Sequence, residues 1–509
     1  MNKLYRIIIG VLLSLGLPGC SKHFLDEKSQ DEVKPTTVAE LQELLMGTVY
    51  PAGQKNTSFQ SYVDMMTDDI TSNFNPDVKT ITLYKYYAGP FTWQADMFES
   101  MTAAQTPNAI DTYEHYYRRI MGCNAVLDLI DKVRGDVDAR ENVRGQALAM
   151  RSYFYLMLVN LFGQPYNAKG VDISTSPGVE LILSSTVRDD YPSRASVGKV
   201  YQQVEEDLLK ALPLMEQYGT DNSKFKVTDM FVYTLLSRMY LYMEKWDSAQ
   251  LFATKGLEKN PNLVNLASIS YPSYAYQVPA TGVYDINSKE AIWLGYANMY
   301  EYAGLNTSRP YGPIPFCVSS DLRSKYDFTR TNTTNRGDLR MRYFYSWDYE
   351  DYDWTIPAPI SGSRYSNALT TSSPIKGMRV AELYLNRAES YIQQYLKNGD
   401  ESMRTAALAD LNYLRSYRYD TRNVPYVNVD YTGQALLDFC RDERRRELAF
   451  EDHRWFDLRR YGMPEIHHIF QMTSSQSPVD YVLHQGDKRY VLPIPRSVLL
   501  KNPSMQPNP

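Results

Sequence analysis

The sequence predicts a mainly α-helical protein whose paired helices are interrupted by two long irregular stretches. Three observations carry that expectation: several helix-length amphipathic segments, a repeat-like helix pair at Phe231–Leu263, and two stretches rich in Pro, Gly, Asn and aromatics without 3.6-residue periodicity.

At the start of the chain, Lys3 and Arg6 form a short positive region before the apolar run Ile7–Leu17. A membrane-spanning helix needs about 20 apolar residues, so this run reads as the core of a signal peptide, residues 1–19. It ends in Leu17-Pro18-Gly19-Cys20, which resembles a bacterial lipobox with Cys20 as the lipidated residue, although Pro18 departs from the usual small side chain. Residues 20–35 are too polar to pack and suit a tether. No later stretch is long and apolar enough to span a bilayer, so the expected attachment is a lipid anchor alone. The rest, 36–509, reads as one domain.

Asn108–Val133, Arg144–Phe162 and Val197–Leu214 read as long amphipathic helices, the second stopped by Gly163 and Pro165. Phe231–Leu263 fits the tetratricopeptide template. Tyr233, Leu236, Ser237 and Tyr240 occupy its first helix; Trp246 opens the second, Ala249, Ala253 and Gly256 slim its packing face, and Pro261 closes it. Val380–Gln394 carries Tyr384, Ala388 and Tyr391 at matching offsets, with Thr405–Tyr417 as its partner helix. Helical repeats thus occupy mainly residues 102–263 and 376–462. The irregular stretches are Thr71–Phe98 and Asn265–Ser373, with short strands expected at Ala291–Tyr296 and Arg489–Pro493. Long ordered loops usually carry function.

The 509 residues carry a net charge of −5 at pI 5.8, which excludes nucleic acid as a partner because phosphate binding needs a concentrated basic surface. Cys123, Cys317 and Cys440 are far apart and lack CxxC spacing, so no zinc site or disulfide framework is indicated. There is no GxSxG elbow, HExxH helix or Walker loop, and no cofactor or metal is expected. His467 and His468 are neighbours that cannot both face one site from a helix.

Near the end stands RDERRRELAFEDHRWFDLRRYG, Arg441–Gly462. Its spacing places Arg444, Glu447, Glu451 and Arg454 on one helical face, where an apolar stripe normally lies. Charged groups there predict a paired network enclosed by Leu448, Phe450, Trp455 and Phe456. Glu447 and Glu451 are not expected to be a glycosidase pair. Side by side on a helix they leave no cleft, and neighbouring arginines would keep both ionised where a general acid needs a raised pKa. Asp68-Asp69 read likewise as capping or network residues.

With KRYVLPIPRSVLLKNP (Lys488–Pro503), this block resembles the C-terminal signature of the SusD/RagB family. FLDEKS (Phe24–Ser29), Thr67-Asp68-Asp69, GQALAMRSYFYLMLVNLFG, SDLRSKYD, Asp338-Leu339-Arg340 and RVAELYLNRAES extend the likeness in order over the mature chain. Met505–Pro509 departs from the family's usual ending. The resemblance implies a SusD-like fold: tetratricopeptide-like repeats packed against a loop-rich side that holds the ligand. It also implies a lipoprotein exposed on the outer-membrane surface that binds nutrients and partners a SusC-like TonB-dependent transporter.

Sugar rings lay C–H patches on Tyr or Trp faces while Asn, Asp and Arg satisfy their hydroxyls. The first insert offers Asn73, Asn75, Tyr86, Tyr87 and Trp93; the second offers Asn298, Tyr300, Tyr302, Trp347, Tyr352, Trp354, Arg364 and Tyr365. Trp93 and Trp354 are the expected platform. Trp347 and Tyr300 are second choices, with Asn75, Asn298 and Arg364 as hydroxyl partners. Trp293, in the strand-like AIWLGY, is assigned to the core. The expected ligand is an oligosaccharide passed on without chemistry; a peptide-binding member of the family, or a tetratricopeptide scaffold, is the alternative reading.

Overall fold

A computed structural model describes residues 34–51, 60–72, 81–105, 112–187, 191–219, 223–269, 282–295, 316–329, 332, 334–347, 357–358, 376–473 and 475–508. The N-terminal side comprises α1 (Val38–Leu44), β1 (Ile70–Ser72), α2 (Ile81–Phe91), α3 (Met97–Ala103), α4 (Thr112–Leu129), α5 (Val137–Phe162), α6 (Val197–Tyr218), α7 (Asp229–Tyr242) and α8 (Trp246–Lys259). The middle holds β2 (Ala291–Gly295), β3 (Phe316–Val318), α9 (Ser320–Ser324), α10 (Arg340–Tyr343), β4 (Ser346–Trp347), β5 (Pro357–Ala358) and β6 (Lys376–Arg379). Then follow α11 (Val380–Asn398), α12 (Glu401–Ser416), α13 (Gly433–Leu448), α14 (Arg454–Arg460), β7 (Ile466–Phe470), β8 (Val479–Leu483) and α15 (Arg496–Lys501).

The long helices form where the apolar periodicity predicts and are bounded by local chemistry. Thr37 and Glu40 make a reciprocal capping box on α1, and the side chains of Asp136, Ser196 and Thr228 cap α5, α6 and α7. Gly399 ends α11 in the left-handed conformation, φ 71°, that a side chain resists. Each helix from α4 to α8 packs on the next, and α11 packs on α8, α12 and α13. A Cβ on Gly256 would sit 2.8 Å from Leu383 Cδ1, so the slim face of α8 is what lets α11 approach. Trp293 is buried in this helical core, edge-on to Tyr153 and Phe231. Among the described residues no helix is long and apolar enough to cross a membrane.

A second apolar cluster underlies the irregular side, with Ile70, Tyr84, Phe91, Leu294, Phe316, Phe344 and Phe470 among its members. Among the described residues the strands pair as antiparallel two-stranded ladders: β1–β3, β2–β6, β4–β5 and β7–β8.

Two expectations need correction. The first irregular stretch contains α2, a helix carrying Gly89-Pro90 in its last turn. Tyr84, Tyr87 and Phe91 are buried at helical spacing, and Gly89 is required because a Cβ there would meet Ser100 Oγ at 2.3 Å. Arg489–Pro493 is not a strand. Lys488–Tyr490 is a 3-10 turn, because the Asp487 carboxylate accepts from Arg489 N at 2.9 Å and from its guanidinium, folding the chain back.

Candidate functional site

The charged block is a buried network, but its geometry is not one helical face. The helix α13 stops at Leu448; Phe450 and Asp452 take φ of 59° and 63°, and α14 begins at Arg454. The turn is held by what it delivers. Glu451 accepts from Arg379 Nε at 3.0 Å and Nη2 at 2.9 Å, Asp452 reaches Lys376, and Arg454 grips Asp68 at 2.7 and 2.8 Å. Leu448, Phe450, Trp455 and Phe456 are buried around the network, as expected.

Glu447 is its centre. It is 0% exposed and accepts from Arg340 at 2.9 Å, from Arg418 at 2.9–3.1 Å and from Arg379. Glu290 binds Arg379 at 2.8 Å and Arg418 at 2.7 Å, while Asp338 holds Arg340 at 2.6 and 2.9 Å. Burial alone would raise the Glu447 carboxyl, but Arg418, Arg379 and Arg340 together outweigh it and hold it well below the usual range. Glu443 is depressed the same way, with Arg340, Arg415 and Arg446 overcoming its burial. Such carboxylates cannot serve as the protonated acid of glycoside hydrolysis. The arginines that keep Glu447 ionised come from three other segments, not from its own helix.

Asp68-Asp69 belong to the same system. Burial opposes ionisation of Asp68, yet Arg454 and Arg445 bring it down to about 2. Asp69 bonds Arg445 Nε at 2.6 Å, and its own burial lifts its carboxyl above the ordinary range. The network therefore ties segments from Asp68, Glu290, Asp338–Arg340 and β6 to α13, riveting the irregular side to the helices.

Short antiparallel rungs close the roots of the inserts. Ser72 pairs with Phe316, so one rung flanks both 73–80 and 296–315. Gly295 pairs with Lys376, closing the whole 296–375 excursion on one rung, and Trp347 pairs with Pro357 around 348–356. Strand β3 lies beside β5, and β1 beside β7, where Ser72 Oγ donates to Ile469 O at 2.7 Å.

Trp347 thus stands at a root rung. Trp354, Tyr300, Asn75, Asn298 and Arg364 lie outside the described residues, as does Cys20. Trp93 needs correction. It is 2% exposed, its indole N–H donates to Met66 O at 3.0 Å, and its face stacks on His468 at 4.3 Å. It follows α2 in the left-handed region, φ 50°, a conformation a bulky residue adopts only when its surroundings hold it there. Trp93 is a core residue and not an open stacking face. His467 and His468 lie on strand β7, one exposed and one buried, and so face opposite ways.

The small exposed part of Trp93 borders a cleft of about 450 Å³ that is also lined by apolar Met66, Met97, Leu492 and Ile494 and by polar Gln94, Asp96, Glu99, Arg489, Arg496 and Asn508. A groove of about 680 Å³ between α1 and α5 includes Gln42, Arg134, Asn142 and Gln146. Among the described residues no group of three or more His, Cys, Asp or Glu is placed to hold a metal ion. The sequence reading missed Arg340, Arg379 and Arg418 as the partners of Glu447. The only local signals were that Arg340 ends Asp338-Leu339-Arg340, Arg379 opens RVAELY and Arg418 directly follows the expected helix Thr405–Tyr417.

Comparison with known proteins agrees with this architecture. The SusD-like family described as "Starch-binding associating with outer membrane" matches residues 23–241, and the SusD family matches residues 361–509. SusD-like protein P2 of Formosa agariphila is 24% identical over 421 residues, spanning 77% of this chain and 78% of its own length. A SusD superfamily protein of Bacteroides thetaiotaomicron, 22% identical, superposes with a TM-score of 0.68 over 93% of this chain and 100% of that one. A SusD-like carbohydrate binding protein of Bacteroides vulgatus, also 22% identical, gives 0.65 over 92% and 98%. Those two structures share this fold. With both ends of the chain matched and the helical scaffold shared throughout, this protein belongs to the SusD/RagB family.

Proposed function

We propose that this chain is a non-enzymatic glycan-binding lipoprotein of the outer-membrane surface, which captures an oligosaccharide and delivers it to a SusC-like TonB-dependent transporter. The observation that carries the reading is that the ends of the inserts are pinned by short antiparallel rungs, Ser72–Phe316, Gly295–Lys376 and Trp347–Pro357, on a scaffold that a buried charged network holds together. Binding residues work best when a rigid scaffold positions the loops that bear them. The family's description, starch binding in association with the outer membrane, supports both the ligand class and the location. Anchoring falls to Cys20, after cleavage of residues 1–19, with 20–35 as tether. The depressed carboxylates of the network support binding without chemistry.

With Trp93 in the core, Trp354 and Trp347 become the stacking residues, Tyr300 a further face, and Asn75, Asn298 and Arg364 the hydroxyl partners. Glycan-array screening of the chain lacking residues 1–20 should identify an oligosaccharide. Calorimetry with that sugar should then show Trp354→Ala weakened by about thirtyfold or more at an unchanged melting temperature, since a central stacking tryptophan contributes at least ~2 kcal/mol. Binding of peptides but not glycans would move the reading to a peptide-importing relative. Full affinity in both Trp354→Ala and Trp347→Ala would remove the proposed platform.

A further inference from the structure

His468 faces inward from β7, and its ring lies between two aromatic faces. Phe91 stacks on it at 4.1 Å and 11°, Trp93 at 4.3 Å and 19°. Each ring nitrogen meets a main-chain carbonyl: Nδ1 lies 2.6 Å from Phe91 O and Nε2 lies 3.0 Å from Thr67 O. Carbonyl oxygens only accept. A neutral imidazole has a single N–H and can serve one of them, turning a lone pair on the other; the imidazolium donates to both. The two carbonyls stand on either side of residues 73–80 of the first insert. Thr67 precedes β1, which leads into 73–80, and Phe91 closes α2, which leads out of it.

We propose that His468 is a proton-operated strut: protonated, it ties the segments on both sides of residues 73–80 to the C-terminal hairpin at once, and neutral, it releases one of them. Asp68, on the step after Thr67, and Asp480, on β8, both act on the ring and favour the imidazolium. Arg454 and Arg445 pair with Asp68 and hold it to about 2, so it keeps its charge throughout the range in which His468 titrates. Two aromatic faces add cation–π attraction for the charged ring. Burial acts against them and is the larger influence, pushing the imidazole down to about 4. The ring is accordingly neutral at neutral pH and the strut engages in acid. This inference does not depend on the identity of the ligand.

The test is a pH titration of the ¹⁵N-histidine-labelled chain from Ser21 onward, read by the ring nitrogen shifts together with amide hydrogen exchange. The informative amides are those of Asp69, Trp93 and Gln94, bonded to Thr67 Oγ1, Pro90 O and Gly89 O. As His468 takes its proton in the folded state, these amides should exchange at least about tenfold more slowly relative to their intrinsic rates, the effect of one added charge-assisted hydrogen bond. The change should vanish in His468→Gln and persist in His467→Gln, which removes the exposed neighbouring titration. Proton uptake only on unfolding, uptake without slowing, or an unchanged response in His468→Gln would each overturn the proposal.

Discussion

Replacing Glu447 with alanine should lower the stability of the whole fold, and the structure says by how much. The carboxylate is fully buried and shared by Arg340, Arg379 and Arg418. Breaking a buried pair by removing one partner typically costs about 3–5 kcal/mol, because the remaining charge stays enclosed without compensation. Here the loss is cushioned unequally. Arg340 keeps Asp338 and Glu443, and Arg379 keeps Glu290 and Glu451, whereas Arg418 keeps only Glu290 among these carboxylates. The expected cost is therefore near the lower end, about 3 kcal/mol, borne mainly by Arg418. Thermal and urea unfolding of the mature chain, followed by circular dichroism, would measure it. The double variant Arg418→Leu with Glu447→Leu should lose less than the sum of its single changes, since it removes charge from both sides of the contact. An unaltered unfolding midpoint in Glu447→Ala, or strict additivity in the double variant, would refute the reasoning.

Other outcomes follow from the same contacts. Trp93→Ala should destabilise by about 3–5 kcal/mol through the cavity it leaves, with a lowered melting temperature that no added sugar is needed to reveal. A normal melt with lost glycan affinity would return Trp93 to the binding surface. In acid, Asp68, Glu443 and Glu447 have folded-state pKa values below their ordinary ones, so the stability they contribute is complete above the ordinary carboxylate range. It should be lost as the pH falls from about 4 through 2, and a melting temperature flat over that interval would contradict it. Cys20→Ala should abolish lipid labelling and release the protein from outer-membrane fractions; retention without a partner transporter would sink the lipobox reading.

Much of the scaffold was legible in the residues. Helix positions follow from a 3.6-residue apolar period and from caps such as Ser196 and Thr228, all local information. The slim face of α8 could be read from Ala249, Ala253 and Gly256, and the burial of Trp293 from the apolar strand around it. The enclosed character of the charged block was legible too, because arginine and glutamate on an otherwise core-facing stripe need partners. α2 escaped notice because Gly89 and Pro90, ordinarily helix breakers, stand in its last turn, where packing against Met97 and Ser100 accommodates them.

What the sequence by itself determined is where the long scaffold helices run, roughly where two inserts interrupt them and that charge is buried near the end. Only the tertiary structure decided who pairs with whom. Arg454 reaches an aspartate 386 positions away, and His468 meets Thr67 at a separation of 401. No periodicity encodes such contacts, since they depend on how the inserts return to the scaffold. Trp93 shows the consequence. Its polar, turn-rich neighbours in sequence imply exposure, but His468 and Met66, brought from elsewhere in the chain, cover its ring and take its N–H.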